Sequence, residues 1–514
     1  MSLAKSGTIV GIMTLASRVL GFIRDQVLAI VFGAGAVTDV FLVAFKIPNF
    51  LRRLFAEGAF AQAFVPVFTE YKETRSHEAL RDLAAHVVGT LTVVLLVIST
   101  LGVMLAPAIV MLFAPGFIDE QERFDLATHM LRITFPYLFF VSLLAYAGSI
   151  QNTFGRFAIP SFTPVLLNVC MIAAALWFSP HFEQPIVALA WGVFAAGVVQ
   201  LLLQLPFLTQ LGLLPRPRWG WRHSGVRRIL KLMAPAVLGS SVAQINLLLD
   251  TVIASFLAVG SLSWLYYSDR LMEFPLGILG VTLGTVILPR LAKEHTQRTP
   301  EHFRRTIDWA MRLVCLIGVP SAIGLIVLSA PMLSTLFEYG KFTAQDTLMA
   351  SYSLIAYSVG LPAFILIKIF APAFFARQDM KTPVRIGIIA LISNMVFNLI
   401  LVLPMVWLGF AAPHTALAIA TSLSAWQQAY LLYSKLDKRN IYRVSAELIG
   451  FTQRLLLPWL LMAIVIWVLS NGDWHSLTAS SRAVKLLGII AAGATSYLIA
   501  LLLVGIRPKH LASP

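Results

Sequence analysis

Apolar stretches long enough to cross a bilayer, about twenty residues each, recur along this chain with short polar connections between them. They fall near 7–32, 84–113, 130–150, 159–178, 186–208, 229–258, 308–337, 348–375, 384–403, 411–433, 452–470 and 483–505. Two further stretches, 38–70 and 264–290, read as spans only if their charged side chains face an interior rather than lipid. With both included, the pattern predicts an all-α polytopic membrane protein of 14 transmembrane helices.

The connections constrain that count. Alternate ones are basic: Lys72 to Arg81, Arg156, Arg216 to Lys231, Arg290 to Arg305, Arg377 to Arg385, Lys435 to Arg454, and the tail at Arg507 and Lys509. Those between them are almost free of Lys and Arg: 33–37, 259–263 and 404–410 have none, and 115–125 has only Arg123 beside acidic residues. The positive-inside rule puts the basic set, and both termini with it, in the cytoplasm. The alternation survives only if 38–70 and 264–290 cross.

A longer period lies over the short one. Val19–Gly21 recurs at Val237–Gly239, Pro66 matches Pro289, Phe113–Gly116 matches Phe337–Gly340, and Arg156 with Pro160 matches Arg377 with Pro383. The common offset, about 220 residues, is a shift of six spans and predicts a parallel duplication. The expected division is two pseudo-symmetric six-helix lobes, 1–215 and 216–440, followed by two extra helices in 441–514.

Composition agrees with a membrane protein. The 514 residues are 58% hydrophobic and only 12% charged, where soluble domains carry about 25%. The net charge of +15 could suggest nucleic acid. Its placement excludes that partner, because most of the cations lie in loops facing anionic head groups. Cys170 and Cys315 sit inside apolar runs and the ten histidines show no ligand spacing, so neither a disulfide framework nor a metal centre is expected from them. Arg18 and Arg24 interrupt the first apolar segment, which is therefore expected to be retained rather than cleaved. No catalytic triad pattern or phosphate-binding loop occurs, and Gly33 with Gly35 reads as a tight turn. An enzyme is not expected.

The informative chemistry is concentrated between Arg18 and Glu57. Arg18, Arg24, Asp25, Asp39, Lys46, Arg52, Arg53 and Glu57 stand among residues such as Val19 and Phe41. Each ionisable group would cost about 2.5–3.5 kcal/mol at bilayer depth, so together they must line a polar interior. The seven-residue spacing of Asp39, Lys46 and Arg53 puts them on one helix face, which Arg52 widens. The second repeat contributes Asp269, Arg270 and Glu273 in the equivalent span. Cations exceed acids, and arginine forks suit phosphate, so the expected ligand is an anion of the phosphate or diphosphate class. The alternative is a set of ion pairs bracing the helices, Arg24 with Asp39 for instance. Asp250 lies mid-span, and Asn394, Asn398 and Thr415 offer further oxygens that could coordinate Na⁺ with it. The alternative there is a lumen-facing or protonated Asp250 beside unrelated asparagines. Pro48, Pro136, Pro235, Pro275 and Pro362 mark kinks or bending gates.

The runs SRVLGFIRD (Ser17–Asp25), FGAG (Phe32–Gly35), TDVFLVAFKIPNFLRRLFAEGAFAQAFVP (Thr38–Pro66), YYSDRLMEFPLGILG (Tyr266–Gly280) and KTPVRI (Lys381–Ile386) resemble the MurJ/MviN family of bacterial lipid II flippases. That family lies within the multidrug/oligosaccharidyl-lipid/polysaccharide exporter superfamily. The resemblance covers essentially the whole chain. It implies a monomeric, multi-pass protein of the bacterial inner membrane that moves an undecaprenyl-diphosphate-linked disaccharide-pentapeptide from the cytoplasmic to the periplasmic leaflet by alternating access. It also implies lipid II and membrane lipids as partners, with cell-wall synthesis enzymes as further ones, and a groove in 441–514 for the lipid tail. The family's cavity arginines match Arg18, Arg24, Arg52 and Arg270, with Asp39, Ser263 and Glu273 in support. No cofactor is implied beyond a sodium ion that some members bind. Asp250 and Thr415 fit that sodium pattern, whereas Asn398 stands where a second acid is expected. A drug or cation antiporter of the same superfamily would need an acidic or aromatic cavity, and a scaffold recruiting cell-wall enzymes would tolerate loss of the arginines.

Overall fold

The structure is a computed structural model that describes residues 3–54, 60–214, 216–297 and 299–506, without the side chains of 3–9, 234–244 and 280–286. Glu57, Gly58, Arg507 and Lys509, and the side chains of Pro235 and Val237–Gly239, lie outside the described residues. The described chain is helical, in two compact units that meet in sequence at Leu262 and Ser263.

In the first unit the helices are α1 (Leu3–Phe32), α2 (Ala36–Leu51), α3 (Ala61–Thr74), α4 (His77–Met104), α5 (Ala106–Phe113), α6 (Gln121–Thr134), α7 (Tyr137–Thr153), α8 (Ala158–Ala173), α9 (Val187–Gln210) and α10 (Ser224–Ser255). The second has α11 (Ser261–Thr296), which begins just before the boundary, then α12 (Pro300–Leu313), α13 (Val319–Val327), α14 (Ser329–Leu336), α15 (Ala344–Phe375), α16 (Lys381–Trp407), α17 (Thr415–Lys438), α18 (Ala446–Ser470) and α19 (Ala479–Leu503).

Among the described residues nine helices are long and apolar enough to cross a membrane, counting α6–α7 as one, α12–α13 as one, and α8 with the turns that carry it on to His181. Their outer faces display apolar side chains such as Leu96, Leu101, Leu399, Leu403, Leu460, Trp467, Leu487 and Leu502. Water would penalise so continuous an apolar surface, and hydrocarbon would not. The chain is a multi-pass membrane protein. The spans differ in how far their own units cover them: the apolar window of α6–α7 is 72% buried and that of α18 is 22% buried.

The first unit packs around an aromatic ladder. Phe60, Phe64 and Phe68 recur at i, i+4, so their rings stack along one face at 5.1 and 4.9 Å. Tyr146, Leu83, Leu208 and Ile229 close over them, which fixes α10 against α3. Pro48 in α2 has no N–H for the Ala44 carbonyl. The Thr134 hydroxyl of α6 supplies the donor at 2.9 Å, and so ties the two helices at the proline. Past Pro48 the helix opens into a wide turn beginning at Arg52. In the second unit α17 packs along α15 and α16, and α18 pairs with α19.

Two helix breaks repeat. Leu105 ends α4 with φ −88° and ψ 9°, Leu328 ends α13 with φ −98° and ψ 15°, and each is followed by an eight-residue helix. Pro107 and Pro331 follow within three residues, and neither has an N–H to continue the helical ladder. Left-handed turn residues recur at the same interval: Gly33 with Gly260, Gly155 with Gln378, and Gly212 with Asn440. The packing boundary at 262 and the sequence repeat at 215/216 are different quantities, because α10 buries its apolar side on α3 whichever repeat it belongs to.

Candidate functional site

The basic wall of the first unit begins on α1. Arg18 is exposed, whereas Arg24 is buried beside Asp25. Arg24 Nε and Nη2 donate to Asp25 Oδ1 at 2.9 and 2.7 Å, and its Nη1 donates to Asn168 Oδ1 at 3.1 Å. Asn168 in turn donates to the Ser17 carbonyl at 3.0 Å, so α8 clamps α1 at this point. The Arg24 guanidinium thus sits beside a carboxylate that largely neutralises it, unlike that of Arg18.

Asp39 near the start of α2 is 1% exposed. Its Oδ2 accepts from the Gly260 N–H at 2.7 Å and lies 3.6 Å from Arg123 Nη2. Arg123 also pairs with Glu120 at 2.8 Å and covers the Phe117 ring. Arg24 with Asp25 and Asp39 with Arg123 are ion pairs that brace these helices, beside the pair of Arg24 with Asp39 named from sequence. Sequence reasoning passed over Arg123, although a single base in a loop otherwise free of them was the available signal. Nearby, the Gly116 N–H donates to Ser255 Oγ at 3.1 Å, and a Cβ on Gly116 would stand 2.2 Å from the Ser255 carbonyl oxygen.

Further along α2 the side chains emerge. Lys46 is half-buried and its Nζ donates to Thr251 Oγ1 at 3.2 Å. Arg52 is half-buried, with Nε and Nη2 on Asn49 Oδ1 at 2.9 and 2.8 Å, and Arg53 is exposed. The stripe expected from Asp39, Lys46 and Arg53 thus runs from buried to open.

In the second unit Arg270 on α11 donates to Glu273 at 3.0 Å and to the Tyr266 hydroxyl at 3.3 Å. Ser263 is fully buried. Trp264 Nε1 donates to Asp346 Oδ1 at 2.9 Å, which anchors the start of α11 to the capping box of Thr343 and Asp346 on α15. Of the residues expected to hold Na⁺, Asp250 is half-buried on α10. Asn394 and Asn398 are buried one turn apart on α16, and Thr415 opens α17. These are oxygen donors of the kind a hard monovalent cation takes.

The model of the family described as lipid II flippase MurJ matches residues 28–482. A probable lipid II flippase MurJ of Vibrio cholerae serotype O1 is 50% identical, over 99% of this chain and 97% of that protein. Its counterpart in Haemophilus influenzae is 48% identical, over 97% of this chain and 99% of that one. Among solved structures, a lipid II flippase MurJ in an inward closed conformation superposes with a TM-score of 0.80 at 27% identity, over 96% of this chain and 98% of that chain. An inward-facing multidrug resistance transporter of the MATE family and MOP superfamily shares the fold at a TM-score of 0.65 and 14% identity, over 85% of this chain and 96% of that chain.

Proposed function

The chain belongs to the lipid II flippase MurJ family, and on that premise we propose that it carries lipid II across the bacterial inner membrane. The observation that carries the proposal is the match to flippases over nearly the full length of both chains. The cargo is an undecaprenyl diphosphate bearing a disaccharide-pentapeptide, and its head group cannot enter hydrocarbon unaided.

A basic, water-filled cavity replaces the hydration of that head group and opens in turn to each leaflet, while the polyprenyl tail stays in lipid along a groove of 441–514. The residues assigned to the head group are Arg18, Arg24, Lys46, Arg52, Arg53 and Arg270, with Asp39, Ser263 and Glu273 holding neighbouring groups in place. Arg18 supports this role because it is exposed on an apolar helix and forms no ion pair among the described residues. Arg24, held by Asp25, would orient rather than neutralise the ligand. All 14 expected spans cross, with both termini on the basic side, and the charged stretches 38–70 and 264–290 are spans shielded by this interior. The protein acts as a monomer, in two six-helix repeats that the recurring helix breaks and turns support. An Na⁺ ion on Asp250, Asn394, Asn398 and Thr415 is its candidate coupling ion. The basic residues give no support to a drug or cation antiporter.

The test is binding of labelled lipid II to the purified protein, with leaflet transfer followed in reconstituted vesicles. Arg18→Ala, Arg52→Ala and Arg270→Ala should each weaken binding at least tenfold and slow transfer in proportion. Undiminished binding in all three would overturn the diphosphate assignment.

A further inference from the structure

We infer that Asp82, His86 and His223 form a binding site for a divalent transition ion of the zinc class, at the basic end of the first unit and independent of the transport pathway. Asp82 and His86 are one turn apart on α4, so they share a face. His223 caps the start of α10. One ligand atom from each lies within 4.8 Å of the other two.

The segment that brings His223 there is held by its backbone. Arg218 N–H donates to the Ala85 carbonyl at 3.0 Å, and Gly220 N–H donates to Thr90 Oγ1 at 3.1 Å. Gly89 makes the bed, because a Cβ there would stand 2.2 Å from the Arg218 carbonyl oxygen. The two imidazoles stack at 4.8 Å between centroids. The position of the third ligand is thus set by packing before any ion arrives.

The distances suit a tetrahedral ion. His86 Nδ1 and His223 Nε2 lie 3.3 and 3.5 Å from Asp82 Oδ2. Bonds of about 2.0–2.1 Å to zinc give a tetrahedral edge of about 3.3–3.4 Å. Closing the two nitrogens onto one ion takes small ring rotations. Two imidazoles and one carboxylate select zinc-class ions over magnesium or calcium, which prefer all-oxygen shells. All three residues are half-buried, so water can complete the shell. Arg218 lies 3.6 Å from Asp82 Oδ1 and leaves Oδ2 to the ion.

The proton bookkeeping is specific. His223 Nδ1 accepts from the Gly225 N–H at 3.1 Å, so its ring proton sits on Nε2, toward Asp82. His86 Nδ1 lies 2.9 Å from the Asp82 carbonyl oxygen, which only accepts, so that nitrogen carries the proton. Two N–H groups therefore converge where an ion would bind. On binding, each ring moves its proton through water to its other nitrogen and stays neutral. His223 gives up its bond from Gly225, His86 gives up its bond to the Asp82 carbonyl, and nothing is oxidised or reduced. The ion then fastens segment 216–223 to α4.

The full-length protein, purified without a histidine tag and stripped with EDTA, is titrated with Co²⁺ and then Zn²⁺. The expected result is one equivalent of Co²⁺ giving the visible absorption of a tetrahedral site, bleached by Zn²⁺. His86→Gln and His223→Asn should each lose that band and bind at least tenfold more weakly. Asparagine retains the helix cap, so His223→Asn should match the stripped parent in melting temperature, and Asp82→Asn gives a third arm. A parent without the band, or a band unchanged in these variants, would overturn the site.

Discussion

A guanidinium can be buried only when its donors are met, and Arg482 at the start of α19 meets this condition. Its Nε donates to the Trp474 carbonyl at 2.8 Å, Nη1 to the Ser334 and Glu338 carbonyls, and Nη2 to Glu338 Oε1 and the His475 carbonyl. Removing one partner of a buried pair costs about 3–5 kcal/mol. Arg482→Ala should accordingly lower the melting temperature of the solubilised protein by several degrees. Arg482→Lys should not restore it, because an ammonium cannot reproduce the planar fork. Asp379, in the turn after α15, works in the opposite electrostatic setting. The Thr382 hydroxyl, the Thr382 N–H and the Arg439 guanidinium hold its carboxyl down at about 2, against an ordinary 3.8. A depressed carboxylate stabilises the fold above its unfolded pKa and loses that contribution as pH falls toward the folded one. Stability should therefore fall between about pH 4 and pH 2 more steeply in the parent than in Asp379→Asn. Melting curves across that interval measure the difference. Neither role was legible in sequence, since each depends on groups brought together by the fold.

At the scale of elements, prolines and glycines carried much of the readable information, with uneven results. Pro136 does interrupt a helix, between α6 and α7, and Pro48 sits just before a widened turn. Pro275 and Pro362 lie inside uninterrupted α11 and α15, so a proline in the sequence did not by itself mark a break. At Pro48 the freed Ala44 carbonyl takes its donor from Thr134 of α6, a partner that only packing supplies. Close approaches were invisible for the same reason. Gly116 permits the 115–117 turn to lie against the end of α10, and only the packed structure shows which backbone it meets. Gly116→Val should cost about 1–3 kcal/mol by overpacking, because the obstacle is backbone rather than a flexible side chain. Accelerated proteolysis of the 114–118 turn, together with a lower melting temperature, would report it. Turn geometry supplies the converse case. Gln378 is exposed at φ 61°, where its repeat partner is Gly155. Gln378→Gly should leave stability unchanged or raise it by up to about 1 kcal/mol in thermal unfolding, since glycine has no Cβ to strain.

For the whole molecule, the sodium assignment makes a global prediction. Na⁺ in place of K⁺ should raise the melting temperature of the parent by a few degrees, and Asp250→Ala should abolish the difference. Equal melting in the two salts would remove the ion from the mechanism. The sequence alone determined the class, because runs of about twenty apolar residues have few alternatives to crossing a membrane. It determined the concentration of charge between Arg18 and Arg53 as well, since charge in apolar helices must find an interior. The family resemblance also lay in contiguous motifs. Tertiary structure decided which charges remain available. Arg24 is tied to Asp25 and Asn168, Asp39 receives the Gly260 N–H and faces Arg123, and Arg18 stays exposed. It also decided that Asp82, one turn from His86, would meet a histidine 137 residues beyond His86, where sequence showed only scattered histidines. The physical reason is range: hydrophobic periodicity is a local property of the chain, whereas the state of a buried charge depends on partners that only packing brings within hydrogen-bond distance.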